Sequence, residues 1–162
     1  MNIKTCFLLL TLFLASCGFH IRGLVELPKW FNHVAVVSSD NHYELTSILK
    51  SRLDSYHIEL SNNPAIADFV IIIQQSLYQI KIISIGASTN PRQYQMILTT
   101  NWHVQNRKGK IIIPQTTATV TRQLTVNNDR ILGSNDEEMT LQREMRQDTV
   151  TQIMNKLSQK LT

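Results

Sequence analysis

The chain has 162 residues and a formal net charge of +4. That length suits one domain preceded by a targeting segment. The cations are scattered, without the Lys/Arg runs typical of nucleic-acid binders, so we expect no nucleic acid as a partner. A mildly basic periplasmic protein can favour an anionic partner such as a phosphorylated lipid. The alternative, which charge alone favours, is a merely solvated surface.

Residues 1–16 have the features of a secretory signal peptide: a basic start, a short apolar run and small residues before a cleavage site. The apolar run is too short to span roughly 30 Å of hydrocarbon as a helix. The Leu-Ala-Ser sequence before Cys17 resembles the bacterial lipobox, which predicts cleavage at this point and acylation of the Cys17 thiol. The alternative is an ordinary signal peptide with an incidental cysteine. By resemblance to enterobacterial sorting, Gly18 favours the outer membrane over the inner one.

The cysteine count leaves the mature chain without a disulfide. Cys6 lies in the signal peptide and Cys17 is the predicted lipid attachment site, and the chain has no other cysteine. Residues 17–162 are therefore expected to form a single domain held together by its hydrophobic core. The stretch Gly18–Asn32 is rich in apolar residues and unlike a flexible linker, which predicts an ordered lead-in packed on the domain or on a partner.

The first half of the mature chain predicts a strand, a helix and a second strand. The strand covers His33–Ser38, the helix covers about residues 41–57 with Asn41 as its N-cap, and the second strand covers residues 68–83. The helix has an apolar stripe at helical spacing, formed by Leu45, Ile48, Leu49, Leu53 and Tyr56.

The next two predicted strands are joined by a hairpin turn over residues 106–109, in which Gly109 suits a positive φ. The third strand alternates between the two faces: apolar residues on one face are Tyr94, Met96, Leu98, Trp102 and Val104. The fourth strand contains Pro114, which predicts an edge position or a nearby bulge. It also carries a polar row on alternate residues from Gln115 to Thr125, which implies a face that stays wet or meets a polar partner.

The last predicted element is a helix over about residues 135–161, with Ser134 and Glu137 as a capping box. Its apolar stripe consists of Leu141, Met145, Val150, Ile153, Met154, Leu157 and Leu161. The element order β-α-β-β-β-α predicts an α+β fold, with two helices packed on one face of a four-stranded, mostly antiparallel sheet.

The sequence offers little for catalysis. Five histidines occur, but none are spaced as in a helical zinc motif, and the chain has no phosphate-binding or nucleophile-elbow motif. Glu137 and Glu138 are better explained by the start of a helix than by acid–base chemistry. We therefore predict no enzyme activity, no catalytic residue, no metal and no cofactor.

Residues 17–23 read Cys-Gly-Phe-His-Ile-Arg-Gly, and residues 94–98 read Tyr-Gln-Met-Ile-Leu. The first segment resembles the mature start of the LptE family of lipopolysaccharide-assembly lipoproteins, and the second matches the central strand of that family. Residues 135–139, 143–148 and 153–157 match its final helix. The resemblance covers essentially the whole mature chain in order.

The resemblance implies a fold, a location and partners. LptE-like proteins have two helices on a four-stranded sheet and sit as a plug inside the LptD β-barrel of the outer membrane, anchored by their lipid on the periplasmic side. The two proteins place lipopolysaccharide in the outer leaflet, and the lipoprotein supports assembly of the barrel. It implies neither an enzyme nor a cofactor.

The resemblance also implies that basic loop residues bind lipopolysaccharide. The nearest cations here are Arg92, before the third strand, and Arg130, before the last helix, and either side chain can hold a phosphate by bidentate hydrogen bonds. The alternative is that both are solvated loop cations. Two other functions remain open: an activator of a periplasmic envelope enzyme such as a peptidoglycan synthase, and a small lipid carrier. The short, apolar Gly18–Asn32 stretch argues against the activator, which needs a long tether.

Overall fold

The computed structural model describes residues 26–39, 43–84, 92–126 and 131–161. Within these ranges the chain forms a five-stranded sheet in the order β2-β1-β3-β4-β5, with two helices packed on one face. The elements are β1 (His33–Ser38), α1 (Tyr43–Ser55), β2 (Glu59–Leu60), β3 (Phe69–Ser84), β4 (Arg92–Asn106), β5 (Ile111–Val126) and α2 (Ile131–Leu161). The α+β class is as predicted.

The prediction of four mostly antiparallel strands was wrong on two points. The short strand β2 adds a fifth member and pairs in parallel with β1, where His33 faces Glu59. Strand β1 is also parallel to β3, where Val34 faces Phe69. A strand of two residues has no periodicity to detect. The β1–β3 pair is parallel because α1 and the chain after it return to the same end of the sheet before β3 begins.

Strand β1 is much shorter than its neighbour β3. Its pairing with β3 ends at Ser38 and Ile73, and β3 then continues to Ser84 along β4. A register shift between Ile73 and Gln75 marks the point where the two strands part. From Gln75 onward, no described residue pairs with the β1-side edge of β3.

The hydrophobic core lies between the helices and the sheet. It includes the predicted stripe residues Leu49, Leu53, Ile153 and Leu157, together with the almost fully buried Trp102 of β4. A second buried cluster lies toward the start of α2 and consists of Met96, Leu98, Val120, Leu124 and Met145. The spacing argument for both helices and for β4 is therefore confirmed.

Helix α2 begins at Ile131, four residues before the predicted start. Ser134 consequently lies inside the helix, and the predicted capping box of Ser134 and Glu137 was wrong. No acidic residue lies in the first turn. Glycine and serine lower helix propensity by about 1 kcal/mol or less per residue, which does not end a helix that packs along the sheet for most of its length.

The hairpin and β5 agree with the sequence analysis. Gly109 has φ of 78° in the turn that joins β4 to β5. Strand β5 is an edge strand, and its register with β4 shifts between Trp102 and Val104, opposite the segment that contains Pro114. The predicted edge position and nearby bulge are both confirmed.

The part of the lead-in that the structure describes, residues 26–32, packs on the domain. The Phe31 side chain is fully buried and packs against Phe69, with the two ring centroids 5.0 Å apart. The Ser158 hydroxyl on α2 donates a 2.8 Å hydrogen bond to the Glu26 carbonyl. The predicted packing of the lead-in on the domain is thus confirmed for residues 26–32. Residues 18–25 and the predicted cap Asn41 lie outside the described residues.

Candidate functional site

The sheet face opposite the helices is polar and broad. We call it the polar face. It comprises the outward side chains of three strands, which are mostly polar: Gln75 and Gln79 of β3, Gln95, Thr99 and Asn101 of β4, and Thr117, Thr119, Thr121 and Gln123 of β5, with Leu77 and Ile97 as apolar exceptions. The predicted row from Gln115 to Thr125 is exposed at every alternate position, as expected for a wet face or a polar partner.

Cross-strand pairs organise the polar face. Thr99 lies opposite Thr119, and the Thr117 hydroxyl donates a 2.7 Å hydrogen bond to the Asn101 side-chain carbonyl. In the described segments that form this face, the only charged outward side chain is Lys81. The surface therefore offers many uncharged donors and acceptors on a rigid sheet, which suits a polar partner better than an apolar one.

Sequence reasoning selected Arg92 and Arg130 for phosphate binding. Arg92 is the first residue of β4 and pairs with Val126, the last residue of β5. Arg130 lies outside the described residues, between Val126 and the start of α2. Arg107 and Lys108 are exposed in the hairpin at the opposite end of the sheet. The pairing of Arg92 with Arg130 stays a prediction, as does the lipid attachment at Cys17, which also lies outside the described residues.

A cleft between the two helices was not foreseen. Its walls are Tyr43, Ser47 and Ile48 of α1 and Met139, Gln142, Arg143 and Arg146 of α2, and its floor is Ser76, Tyr78 and Leu98. It has two adjoining compartments of about 680 and 560 Å³, the size range of ligand pockets. Its residues come from two helices and two strands that are distant in the sequence, and only the tertiary packing brings them together, so no sequence signal pointed to it.

An ion pair crosses the mouth of the cleft. The Arg146 guanidinium lies 2.9 Å from the Glu44 carboxylate, and the Arg146 side chain is 29% exposed. Arg143 is exposed one turn away and has no carboxylate partner among the described residues. The lining thus carries two guanidinium groups and one carboxylate.

The floor of the cleft contains a buried hydroxyl. The Tyr78 oxygen is inaccessible and has no hydrogen-bond partner of good geometry among the described residues. Burial raises the pKa of Tyr78, while the nearby Gln142 amide opposes that effect. The Gln142 amide nitrogen already donates a 3.0 Å hydrogen bond to Glu138. A buried hydroxyl of this kind is usually hydrogen-bonded to another protein group or to an ordered water molecule.

The described residues contain neither a metal-ligand cluster nor a membrane-spanning helix. Among residues 26–39, 43–84, 92–126 and 131–161, no three His, Cys, Asp or Glu side chains are placed to hold a metal ion. No helix in those same ranges combines the length and apolar character needed to cross a membrane.

These features define a sheet-and-helix α+β domain with a polar sheet face and an amphipathic cleft. The family model for LptE, lipopolysaccharide-assembly, matches residues 31–157. The chain therefore belongs to the LptE family. The LPS-assembly lipoprotein LptE of Pectobacterium atrosepticum is 27% identical over 150 residues, which cover 92% of this chain and 80% of that protein.

Solved structures share the fold. A lipoprotein B from Nitrosomonas europaea superposes with a TM-score of 0.70 at 22% identity, covering 87% of this chain and 90% of that one. A minor lipoprotein from Acinetobacter baumannii gives a TM-score of 0.65 at 22% identity, covering 80% of this chain and 94% of that one. At these identities the similarity establishes the fold alone.

Proposed function

We propose that this protein is an outer-membrane lipoprotein which, together with an LptD-type β-barrel, places lipopolysaccharide in the outer leaflet and supports assembly of the barrel. Residues 1–16 are removed as a signal peptide, and Cys17 carries the lipid on the periplasmic side of the membrane. The observation that carries the proposal is the LptE family match over residues 31–157.

The polar face supports the barrel as a partner. The interior of a wide outer-membrane barrel is lined by polar side chains, because residues alternate between the lipid and the lumen. A rigid sheet face rich in Thr, Gln and Asn can exchange hydrogen bonds with such a lining without burying unpaired charges. In the described part of that face, Lys81 is the single charge that has to be accommodated.

The lipopolysaccharide contact is assigned to Arg92 and Arg130. Lipid A carries phosphates, and a planar guanidinium binds phosphate through two parallel hydrogen bonds. The pairing of Arg92 with Val126 supports the assignment, because Arg130 follows Val126 by only four residues.

Co-purification tests the proposed function. The full-length chain carrying a C-terminal tag is recovered from detergent-solubilised outer membrane, and we expect a large barrel protein in equal amount. Introducing arginine at Thr119 and Thr121, in the centre of the polar face, should reduce barrel recovery, because two cations would be buried without partners. The matched control introduces arginine at Thr151 and Gln159, which are exposed on α2. Recovery of no barrel protein, or of a peptidoglycan synthase instead, would reject the proposal.

A further inference from the structure

The cleft between α1 and α2 continues as an apolar surface. Tyr78, Ile80 and Ile82 alternate along β3 on the helix side of the sheet, since they pair with Leu98, Met96 and Tyr94 of β4. Ile80 is 47% exposed and Ile82 is 56% exposed. Both residues lie beyond the point where β1 ends, so the apolar floor extends out of the cleft along β3.

The rim of the cleft adds further exposed apolar groups. Tyr43 at the start of α1 is 73% exposed, and Met139 on α2 is 60% exposed. Large apolar side chains that are exposed together on one concave surface indicate a binding surface, whereas single exposed apolar residues scattered over a protein surface are normal. An apolar track that leads out of a cleft in this way fits an extended hydrocarbon chain.

Cations stand at one side of the same track. Arg143 and Arg146 line the larger compartment together with Ile48 and Met139. Glu44 neutralises Arg146 in part, but Glu44 is 72% exposed, and a phosphate could displace it at low cost. Arg143 is exposed and has no carboxylate partner among the described residues, so its guanidinium adds a hydrogen-bond donor at the rim of the track.

We infer that this cleft binds an anionic amphiphile, with one acyl chain along Tyr78, Ile80 and Ile82 and its phosphate at Arg143 and Arg146. The ligand is defined by a phosphate joined to a long acyl chain, which lipid A and membrane phospholipids share. The binding site itself is inferred from the geometry of the cleft. Only the natural source of the amphiphile rests on the proposed function. The site differs from the one assigned to Arg92 and Arg130.

Photolabelling tests the inference on the full-length lipoprotein in dodecyl maltoside. The probe is lysophosphatidic acid whose single acyl chain carries a diazirine near its middle. We expect adducts on the peptide that contains Tyr78, Ile80 and Ile82. Excess lipid A or phosphatidylglycerol should compete for this labelling, and the stronger competitor identifies the natural source.

Two kinds of variant separate the head and chain contacts. Arg143→Glu combined with Arg146→Glu should weaken labelling roughly tenfold, the loss expected for about 1.4 kcal/mol of binding. Gln142→Trp or Ser47→Trp fills the cleft from either wall and should abolish the adduct on β3. Lys108→Glu, at the far hairpin, is the matched charge control and should label like wild type. Circular dichroism checks that each variant is folded.

Adducts spread over the whole chain, or equal labelling of β3 in folded Gln142→Trp and Ser47→Trp variants, would overturn the inference. The same would follow if the double arginine variant labelled like wild type. These failures are distinguishable from failure of the proposed function, because co-purification of the barrel is measured separately and does not depend on the probe.

Discussion

Glu44 on α1 and Arg146 on α2 form an ion pair of 2.9 Å that joins the two helices at the mouth of the cleft. The pair lies near the start of α1, where the helices border open space, whereas farther along they share a core that includes Leu49, Leu53 and Leu157. It therefore fixes the position of a guanidinium more than it holds the fold together.

Glu44→Gln should change stability by no more than about 1 kcal/mol, because a largely exposed carboxylate contributes little to an ion pair. The same change releases Arg146 and should strengthen binding of a phosphate-bearing amphiphile. Chemical unfolding and photolabelling measure the two effects. Glu59→Gln, at another exposed carboxylate, is the control for both. A loss of stability well above that of the control would show that the pair is structural.

Leu157→Asp should destabilise the domain by about 3 kcal/mol or more, because it places an unpaired charge in the core. Leu157 is fully buried on α2. For a domain of this size the expected fall in Tm is roughly 10 °C, measured by circular dichroism. Gln159→Asp, two residues further on the exposed side, should lower Tm far less. Equal melting of both variants would mean that this turn of α2 is not packed as described.

Arg92→Glu combined with Arg130→Glu should weaken lipopolysaccharide binding while leaving Tm near the wild-type value, since surface charge reversals cost little stability. Binding is measured at low salt, where screening is weakest. Binding equal to wild type would remove both residues from the site. Arg107, Lys108 and Lys110 at the hairpin would then be the next cations to change.

Cys17→Ser should abolish incorporation of labelled palmitate, because the hydroxyl cannot replace the thiol that the lipobox resemblance assigns to acylation. The protein should also keep its signal peptide, which mass spectrometry detects as the additional residues 1–16. Cys6→Ser, within the signal peptide, is the control and should be labelled like wild type. Palmitate on the Cys17→Ser protein would place the anchor elsewhere.

Helices and strands whose apolar residues recur at a regular spacing were predictable from the sequence. Strand β4 alternates between Met96, Leu98 and Trp102 on the buried side and Gln95 and Thr99 on the other, which is the pattern of a sheet with one covered face. The stripe on α1 was equally clear. In each case the apolar residues recur at one constant spacing in the sequence, and that spacing places them on one buried face of the strand or helix.

Features without a local signal were missed. Strand β2 has two residues, and its pairing with β1 depends on the turn after α1, where His57 has φ of 60°. The start of α2 was placed too late because Ser134 and Glu137 fit a capping box as well as they fit a helix interior. The cleft joins Glu44 to Arg146 across about a hundred residues, and only the tertiary packing brings the two together.

The hydrogen bond from Ser158 to Glu26 has a consequence for orientation. It fixes the entering chain beside the C-terminal part of α2, which lies toward the hairpin end of the sheet. An anchor at Cys17 would be joined to Glu26 by nine residues, a tether of about 30 Å at full extension. The 16 residues of β3 span roughly 50 Å. With the proposed anchor at Cys17, this tether would be shorter than the domain is long, so the hairpin end would stay beside the point of attachment and the end with Arg92 would be held away from it.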